Sequence, residues 1–380
     1  MGVEQTLAEL VAIDSTSSRS NVELIDFLAR RAEGAGLSAR RLPYADERGV
    51  EKQQLVAVYP HDFKEGGEVE LALVGHTDTV PFDPAWAEAL RLTERGGNLY
   101  GRGACDTKGF IAAALAAVEE VDLMRLTRPL ALVFTADEEV GCLGAKRLAE
   151  ARPFRARQAV VGEPTSLTPV RAGKGYCLAE VTVRGREAHS AYPSIGASAI
   201  TRAARLVSRV ERIAEELRQD EHAAFDPPHT TLNVGLIQGG TAKNIVAGLC
   251  RFTLEWRPLP GQPPERVVEL LRREVETLRA SDPDFECEIK VVRLDGGAET
   301  PGDAPLVRAL EELTGRAAGA VSFGTEAPQL AELGAAAVVF GPGDIRVAHR
   351  TGEFVPAAEL REAASILRRV IERFCAAGHP

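Results

Sequence analysis

The chain has 380 residues, of which 45% are hydrophobic and 26% are charged, and its formal net charge is -10 with a sequence pI of about 5.4. This composition argues against disorder and predicts a globular protein long enough for two domains. The acidic balance argues against a nucleic-acid or anionic-membrane surface and favours small cationic ligands or metal ions. No apolar run reaches the roughly 20 residues that span a bilayer, and the amino terminus lacks the features of a signal peptide, so we expect a cytoplasmic protein.

Motifs that would indicate other chemistry are missing. The six cysteines are scattered, with no CxxC pair and no histidine at zinc-finger spacing, which indicates reduced and mostly buried thiols. Cys105 has no cationic neighbour in sequence that would activate it, so we do not expect a nucleophile there. The glycine-rich stretches at 101–109 and 173–175 match neither GxxxxGK[ST] nor GxGxxG, which argues against nucleotide binding.

In chain order, the first part alternates helices with buried strands. Helical spacing predicts helices at 4–14 and 21–36, and residues 81–97 predict a surface loop with a short helical piece. An alanine-rich run predicts a helix at 111–118, and a further helix is predicted at 145–149. Apolar runs predict strands, which are fully buried where the run is continuous, at 54–59, 71–74, 129–135 and 158–161.

After Arg171 the strands alternate between apolar and polar residues. Strands at 178–183, 230–235, 250–256 and 286–292 and helices at 198–217 and 264–279 follow the ferredoxin-like order of strand, helix, strand, strand, helix, strand. The α/β pattern then returns with helices at 306–313 and 357–374 and strands at 317–322 and 335–340. We therefore predict an α/β fold: a catalytic domain with a central, mostly parallel sheet, formed by 1–172 and 294–380, and an inserted ferredoxin-like α+β domain at 173–293.

A histidine and an aspartate two residues apart follow the strand at 71–74. Period-2 geometry places His76 and Asp78 on the same face, at the end of the strand where open α/β sheets bind ligands. Two interpretations are open. The pair is either a buried hydrogen bond or a metal-binding histidine with the neighbour that fixes its tautomer.

Acidic residues follow the next segments of the predicted sheet. Asp106 stands before the alanine-rich helix, where it is either an N-cap or a ligand. The acids at 137–139 follow one buried strand and Glu163 follows another. A helix N-terminus stabilises one carboxylate by only about 0.3–1 kcal/mol, so a cation offsets the repulsion of three consecutive acids better. His349, in a polar loop, is either a surface histidine or a further ligand.

Two histidines and three carboxylates suit two divalent cations, Zn or Co, that share one bridging carboxylate. The spacing does not show which acid bridges. The candidate ligands are His76, Asp106, Glu139, Glu163 and His349.

Several stretches of the chain resemble the M20 family of co-catalytic metallopeptidases and amidohydrolases, over essentially the whole length. They are GHTDTVP at 75–81, GRGACDTKG at 101–109, DEE at 137–139, GEP at 162–164 and AHS at 188–190, together with His349. The resemblance implies that Asp106 bridges the two cations. It implies that His76 and Glu163 complete one metal site and that Glu139 and His349 complete the other.

The resemblance also implies the catalytic roles. Glu138 would be the general base that takes a proton from the attacking water, and Asp78 would orient His76. Thr107 stands where many members carry Met, a departure at a position that is not a ligand.

Residues of the inserted domain match family positions as well. His189 resembles the histidine that reaches the active site of a neighbouring subunit, which implies a homodimer formed through the inserted domain, or lid; a surface histidine is the alternative. Asn244 and Arg257 match positions that hold substrate. Arg257 either pairs with the substrate's α-carboxylate or forms a salt bridge inside the lid.

Within the family, the loop that contains Gly324, Thr325 and Glu326 and the GPG at 341–343 most resemble members that act on N2-acetyl-L-ornithine. Glu326 would recognise a distal ammonium, unless it only supports its loop. We therefore expect deacetylation of N2-acetyl-L-ornithine, a step in arginine biosynthesis. The rivals are desuccinylation of N-succinyl-diaminopimelate, deacetylation of acetylcitrulline, another aminoacylase or dipeptidase activity, and a non-catalytic metal-dependent binding protein.

Overall fold

The computed structural model describes residues 2–377, which divide into two compact units. The first unit comprises the described residues up to Arg171, Thr300–Gly319, and those from Thr325 onward. The second comprises Ala172–Glu299 and Ala320–Gly324. Among the described residues, no helix combines the length and the apolarity that crossing a membrane requires.

The first unit is built on a mixed sheet whose centre is parallel. The central strands run parallel in the order Leu130–Thr135, Glu68–His76, Arg155–Val161 and Ala336–Val339. Antiparallel strands continue the sheet through Glu51–Tyr59 to Ser38–Ala45 on one side and to Val170–Gly173 on the other, which also pairs with the short strand Gly319–Val321. This sheet confirms the predicted α/β fold. Because the central strands are parallel, the segments that follow their carboxyl ends meet at one edge.

Helices enclose the core of this unit with aliphatic and alanine side chains. The helix Lys108–Glu120 is buried along almost its whole length, and its alanines let neighbouring helices approach closely. The helices are Val3–Ala12, Val22–Gly34, Lys108–Glu120, Leu143–Ala151, Pro305–Thr314, Ala327–Glu332 and Ala357–Cys375, with 3-10 turns at Leu123–Arg125 and Ile345–Val347. A small sheet is formed by Thr93–Arg95, Asn98–Tyr100 and Phe354–Pro356.

The second unit is a four-stranded antiparallel sheet with two helices packed on one face. The strand order is Thr231–Gly239, Leu249–Arg257, Tyr176–Arg184 and Glu286–Asp295, and the helices are Ala199–Leu217 and Arg266–Ser281. This is the predicted ferredoxin-like arrangement, in which alternate strand residues are buried under the helices. The short strands Ala188–His189 and Ile245–Val246 pair with each other, and a 3-10 turn lies at Pro193–Ile195. A further short strand is Ala298–Glu299.

Two segments of the first unit differ from the expectation. The expected helical piece within 81–97 is wrong: the Asp83 carboxylate accepts the backbone N–H of Ala85 in a turn, and a strand forms at Thr93–Arg95. The strand Ser38–Ala45 was not predicted because it contains two arginines and Pro43. It lies at the edge of the sheet, where a proline does not interrupt the hydrogen-bond ladder.

Glycine precedes a candidate ligand at two strand ends because the ring of Phe110 packs there. A Cβ on Gly162 would lie 2.1 Å from Phe110 Cδ1, and a Cβ on Gly75 would lie 3.2 Å from the same atom. The start of the helix Lys108–Glu120 therefore fits against the strand ends that precede His76 and Glu163. This close packing brings Asp106, two residues before the helix, to the same edge of the sheet.

Candidate active site

The structure places Asp106 between two histidines. Its Oδ1 lies 3.0 Å from His76 Nε2, and its Oδ2 lies 3.1 Å from His349 Nε2. His349 Nε2 also lies 3.1 Å from a carboxylate oxygen of Glu139. Ligand atoms of His76, Asp106 and Glu139 all lie within 4.8 Å of one another, so these residues form a possible metal site. The alternative of an N-cap at Asp106 does not describe this geometry, because Thr107 occupies the cap position. His349 is exposed, as its surface alternative predicted, but its Nε2 contacts both Asp106 and Glu139.

Glu163 is buried in the same electrostatic environment. Burial raises its pKa well above the usual range, and the negative charges of Asp106 and Glu138 add to this shift. Its side chain is 5% exposed. A buried carboxylate that is destabilised by its neighbours is suited to a cation, which would favour its ionised form.

The contacts of His76 settle its tautomer. Its Nδ1 lies 2.9 Å from the backbone carbonyl oxygen of Asp78, which can only accept, so Nδ1 carries a proton and donates it. Nε2 is thus the nitrogen that faces Asp106 and can present its lone pair to a cation. Burial alone would lower the pKa of His76, but the hydrogen bond with Asp106 and the surrounding carboxylates raise it well above its usual value.

The second histidine and the central aspartate respond to each other. Hydrogen bonds with Asp106 and Glu139 raise the pKa of His349 to about 10. Burial would raise the pKa of Asp106, yet the hydrogen bonds with His349 and His76 outweigh burial and lower it. Burial raises the pKa of Glu139. These shifts describe a cluster in which carboxylates outnumber the basic groups that compensate them, and its oxygen and imidazole donors fit divalent transition-metal ions.

The pKa of Glu138 is shifted upward by its surroundings. Burial raises its pKa to about 8, His76 opposes the shift, and the charge of Glu139 adds to it. The Sγ of Cys142 donates to Glu138 Oε1 at 3.3 Å. A general base works best with a pKa close to the operating pH, and burial moves the pKa of Glu138 in that direction.

The side chain of Asp78 holds the acidic turn more directly than it holds His76. Its carboxylate accepts the backbone N–H groups of Glu138 at 3.0 Å and Glu139 at 3.2 Å, and the hydroxyl of Ser17 at 2.8 Å. The shortest distance from that carboxylate to His76 Nδ1 is 3.8 Å. The backbone carbonyl of Asp78 orients the histidine. The side chain of Asp78, which was predicted to do so, instead holds the backbone of Glu138 and Glu139.

A second buried carboxylate fixes the backbone at Asp106. Glu353 Oε1 accepts the N–H of Cys105 at 2.9 Å and the N–H of Asp106 at 3.0 Å, while Arg102 Nη1 donates to Glu353 Oε2 at 2.5 Å. The hydroxyl of Thr107 donates to the carbonyl of Gly162 at 3.0 Å and so ties this turn to the residue before Glu163. Burial raises the pKa of the Cys105 thiol well above its usual value, in agreement with an unreactive thiol.

Sequence reasoning missed Ser17 and Glu353 as parts of the site. Ser17 lies 61 positions from Asp78, and Glu353 lies 247 positions from Asp106, so no local spacing relates them. The only local signal is that Glu353 follows His349 by four residues in a polar loop. Contacts of this kind become visible only in three dimensions.

In the second unit, the structure brings His189 and Asn244 together. His189 pairs with Ile245, the residue after Asn244, and the N–H of Ser190 donates to the backbone carbonyl of Asn244 at 3.0 Å. His189 is exposed, and its Nδ1 accepts the N–H of Ala191 at 3.1 Å. Its imidazole remains accessible to a ligand or to another chain.

Arg257 makes the salt bridge that was its alternative interpretation. Its Nε donates to Glu255 at 2.8 Å, its Nη1 donates to the carbonyl of Ser322 at 3.3 Å, and its guanidinium stacks 4.8 Å from the ring centroid of Tyr176. Gly324 lies beside Tyr176, since a Cβ on Gly324 would lie 3.5 Å from that of Tyr176. Substrate contacts at these positions stay predictions.

Thr325 and Glu326 belong to the first unit and are buried. The hydroxyl of Thr325 accepts the N–H of Ala327, and Glu326 Oε2 accepts the hydroxyl of Thr135 at 2.9 Å. Glu326 Oε1 has no hydrogen-bond partner among the described residues. Burial raises the pKa of Glu326 to about 7, and the charge of Asp78 contributes, which indicates that this carboxylate lies close to the candidate site.

Comparison with known proteins assigns the family. The model of the peptidase family M20/M25/M40 matches residues 72–373, which include every candidate ligand. The chain belongs to this family. A protein from Myxococcus xanthus named acetylornithine deacetylase is 58% identical over 371 residues, which cover 97% of both chains. The resemblance inferred from the motifs is thereby confirmed, and the M20 chain is a hydrolase.

Solved structures of two peptidases share its fold. A tripeptidase from Staphylococcus aureus superposes with a TM-score of 0.78 at 24% identity, covering 97% of both chains. A dinuclear metal-binding peptidase of the M20 family from Bacillus subtilis has a TM-score of 0.67 at 15% identity, covering 97% of this chain and 98% of the other. At these identities the comparison shows the fold that this M20 chain has in common with them.

Proposed function

We propose that the chain is a two-metal amidohydrolase that converts N2-acetyl-L-ornithine to L-ornithine and acetate, a step in arginine biosynthesis. The observation that carries the reaction is the cluster in which the buried Asp106 lies between His76 and His349, with Glu138 beside it. The substrate is supported by the near-full-length similarity to the Myxococcus xanthus protein named acetylornithine deacetylase.

The proposed cofactors are two divalent ions, Zn or Co. His76 and Glu163 would hold one ion, Glu139 and His349 would hold the other, and Asp106 would bridge them. Asp106 is suited to bridging because each of its oxygens faces a different histidine. The Bacillus subtilis neighbour that binds two metals supports this number.

The ions, when bound, would polarise the acyl carbonyl and acidify the attacking water. Glu138 takes the proton from that water and then delivers it to the nitrogen of the leaving amine. Burial raises the pKa of this carboxyl toward neutral pH, which favours a group that both accepts and releases a proton. Asp78 and Ser17 keep the backbone of Glu138 in place during both transfers.

We propose Glu326 as the group that recognises the distal ammonium of the substrate. One of its oxygens is engaged by Thr135, and the other is buried without a protein partner. A buried carboxylate oxygen of this kind is costly unless a donor reaches it, and an ammonium group supplies three. Asn244, Arg257, Gly324 and Thr325 are further proposed substrate contacts, on the basis of their match to family positions.

Replacing Glu326 by glutamine should reduce kcat/KM for N2-acetyl-L-ornithine by roughly 10- to 100-fold, because a hydrogen bond to a charged group contributes about 1.5–3 kcal/mol. Acetylcitrulline, whose side chain is neutral, should be affected far less. Steady-state kinetics on both substrates measure the difference. Glu332→Gln, an exposed substitution in the following helix, is the matched control and should leave both values unchanged.

The same assay decides between the proposed substrate and its rivals. If the wild-type enzyme is inactive on N2-acetyl-L-ornithine but hydrolyses N-succinyl-diaminopimelate, acetylcitrulline or a dipeptide, the proposed substrate is wrong. An equal loss on the charged and neutral substrates in Glu326→Gln would instead show that Glu326 supports its loop.

We further propose a cytoplasmic homodimer formed through the second unit, in which His189 serves the partner's active site. The described cysteines are all free, which suits a reducing compartment. His189 is exposed on a short strand pair and has an accessible imidazole. A histidine placed in this way can donate to an oxyanion that forms in another subunit.

Mixing two inactive variants tests this proposal. Glu138→Ala and His189→Ala should each be nearly inactive, and subunit exchange between them should restore turnover, because mixed dimers contain one site with both residues. Sedimentation analysis measures the mass, and His222→Ala, which removes another histidine of the second unit, is the control that should remain active. A monomeric mass, or no recovery after exchange, would contradict the shared site.

A further inference from the structure

The three consecutive acids at 137–139 have different partners. Glu138 and Glu139 belong to the candidate site, but the Asp137 carboxylate binds Lys52 and Tyr44. Asp137 is 1% exposed and has a φ of 58°, in the left-handed region that is uncommon for a residue other than glycine. The backbone at the start of the acidic turn therefore needs contacts that hold it.

Lys52 is a buried cation whose ammonium group lies close to three oxygen atoms. Its side chain is 1% exposed, and its Nζ lies 2.8 Å from Asp137 Oδ1, 2.8 Å from the carbonyl of Ser17 and 2.7 Å from the carbonyl of Arg19. Two of its N–H groups donate to the carbonyls of Ser17 and Arg19, and the ammonium charge is paired with the Asp137 carboxylate. Within residues 2–377, none of these partners of Lys52 is a candidate metal ligand. The burial of this cation therefore needs an explanation other than metal binding.

Two buried connections run from Lys52 to the acidic turn. The direct one is the ion pair with Asp137, whose other oxygen accepts the hydroxyl of Tyr44 at 2.8 Å. The indirect one passes through Ser17, whose hydroxyl donates to Asp78, and the Asp78 carboxylate accepts the N–H groups of the turn. The turn is thus held through the side chain of its first residue and through the backbone of the next two.

We propose that Lys52, Asp137 and Tyr44 are positioning residues that set the place of Glu138 relative to the reacting water. The inference deepens the proposed function and rests on it. The physical reason is that a general base must lie within a fraction of an ångström of its productive position, and a displacement of about 1 Å can cost about 100-fold in rate.

The test uses variants that change the contacts of Lys52, Asp137 and Tyr44 in two ways. Removing Lys52 alone would leave a buried unpaired carboxylate, which can prevent folding. We therefore combine Lys52→Met with Asp137→Asn, which removes both charges, and prepare Tyr44→Phe separately. The double variant should lower kcat by about 10- to 100-fold with KM within about threefold of wild type, and Tyr44→Phe should lower kcat by a smaller factor.

A second readout does not depend on activity. In the metal-free protein, hydrogen exchange at the amides of Glu138 and Glu139 should accelerate in the double variant. These amides donate to Asp78, and the loss of the Lys52–Asp137 pair should loosen the turn that holds them in place. Arg31→Met is the matched control. It breaks the 2.6 Å ion pair with Glu119 between two helices of the same unit, and it should change neither kcat nor exchange at the acidic turn.

Two outcomes would overturn the proposal: a lower melting temperature with unchanged kcat per folded enzyme, or wild-type exchange at Glu138 and Glu139. Failure of the proposed function has a different signature. In that case wild type would not hydrolyse N2-acetyl-L-ornithine. Exchange at the turn would still accelerate in the double variant, which would support the positioning role of Lys52 and Asp137.

Discussion

Replacing Glu138 by alanine is expected to reduce turnover of N2-acetyl-L-ornithine by about 10²- to 10⁴-fold, the contribution of a positioned general base, and to leave the metal content almost unchanged. Glu138 is half-buried, its surroundings raise its pKa to about 8, and its carboxylate accepts a hydrogen bond from the thiol of Cys142. Steady-state kinetics and elemental analysis on the same preparation measure the two quantities. Glu138→Gln, which keeps the side-chain volume, should show the same loss.

The neighbouring glutamate provides the matched control. Glu139→Gln should lose activity together with metal, because Glu139 lies 3.1 Å from His349 and belongs to the proposed ligand set. Full activity in Glu138→Ala would show that the base is assigned wrongly. Loss of metal from Glu138→Ala would make Glu138 a ligand. Retained metal with lost turnover separates the hydrolase from a binding protein, which would need the ligands but not the base.

Replacing Asp106 by alanine is expected to remove bound metal and to lower activity to background. Asp106 contacts both histidines, with one oxygen at 3.0 Å from His76 and the other at 3.1 Å from His349. Removing a bridging carboxylate would leave both ions without a shared ligand, whereas His76→Ala should lose one ion. Elemental analysis gives the number of ions per chain, and the exposed substitution Asp303→Ala is the control that should keep them.

Chelation of the wild-type protein should reproduce the Asp106→Ala result reversibly. Activity should disappear with the metal and return when Zn or Co is added, because the folded donor set is already assembled in the protein. Two ions retained in Asp106→Ala would show that another acid bridges. Unchanged activity after complete removal of metal would contradict the two-metal mechanism.

The structure shows where local patterns were sufficient and where they were not. Apolar runs predicted the central strands. The polar residues that follow those runs, namely His76, the acids at 137–139 and Glu163, were predicted to lie together, since the carboxyl ends of parallel strands meet at one edge of the sheet. The helical piece expected within 81–97 failed because local side-chain hydrogen bonds at Asp83 formed turns instead. The edge strand Ser38–Ala45 escaped because its charges and proline gave no apolar signal.

The sequence by itself determined the α/β and ferredoxin-like parts of the chain, because periodicity of apolar residues reports which face each element buries. Its motifs also determined the family and the candidate ligands. Only the tertiary structure decided that Asp106 faces both histidines and that Asp78 holds the backbone of the acidic turn. It also decided that Lys52 pairs with Asp137 and that Glu353 binds the backbone of Asp106. These contacts join residues that lie far apart in sequence, so no periodicity predicts them. They form because polar groups that are buried in the folded protein must find hydrogen-bond or ion-pair partners.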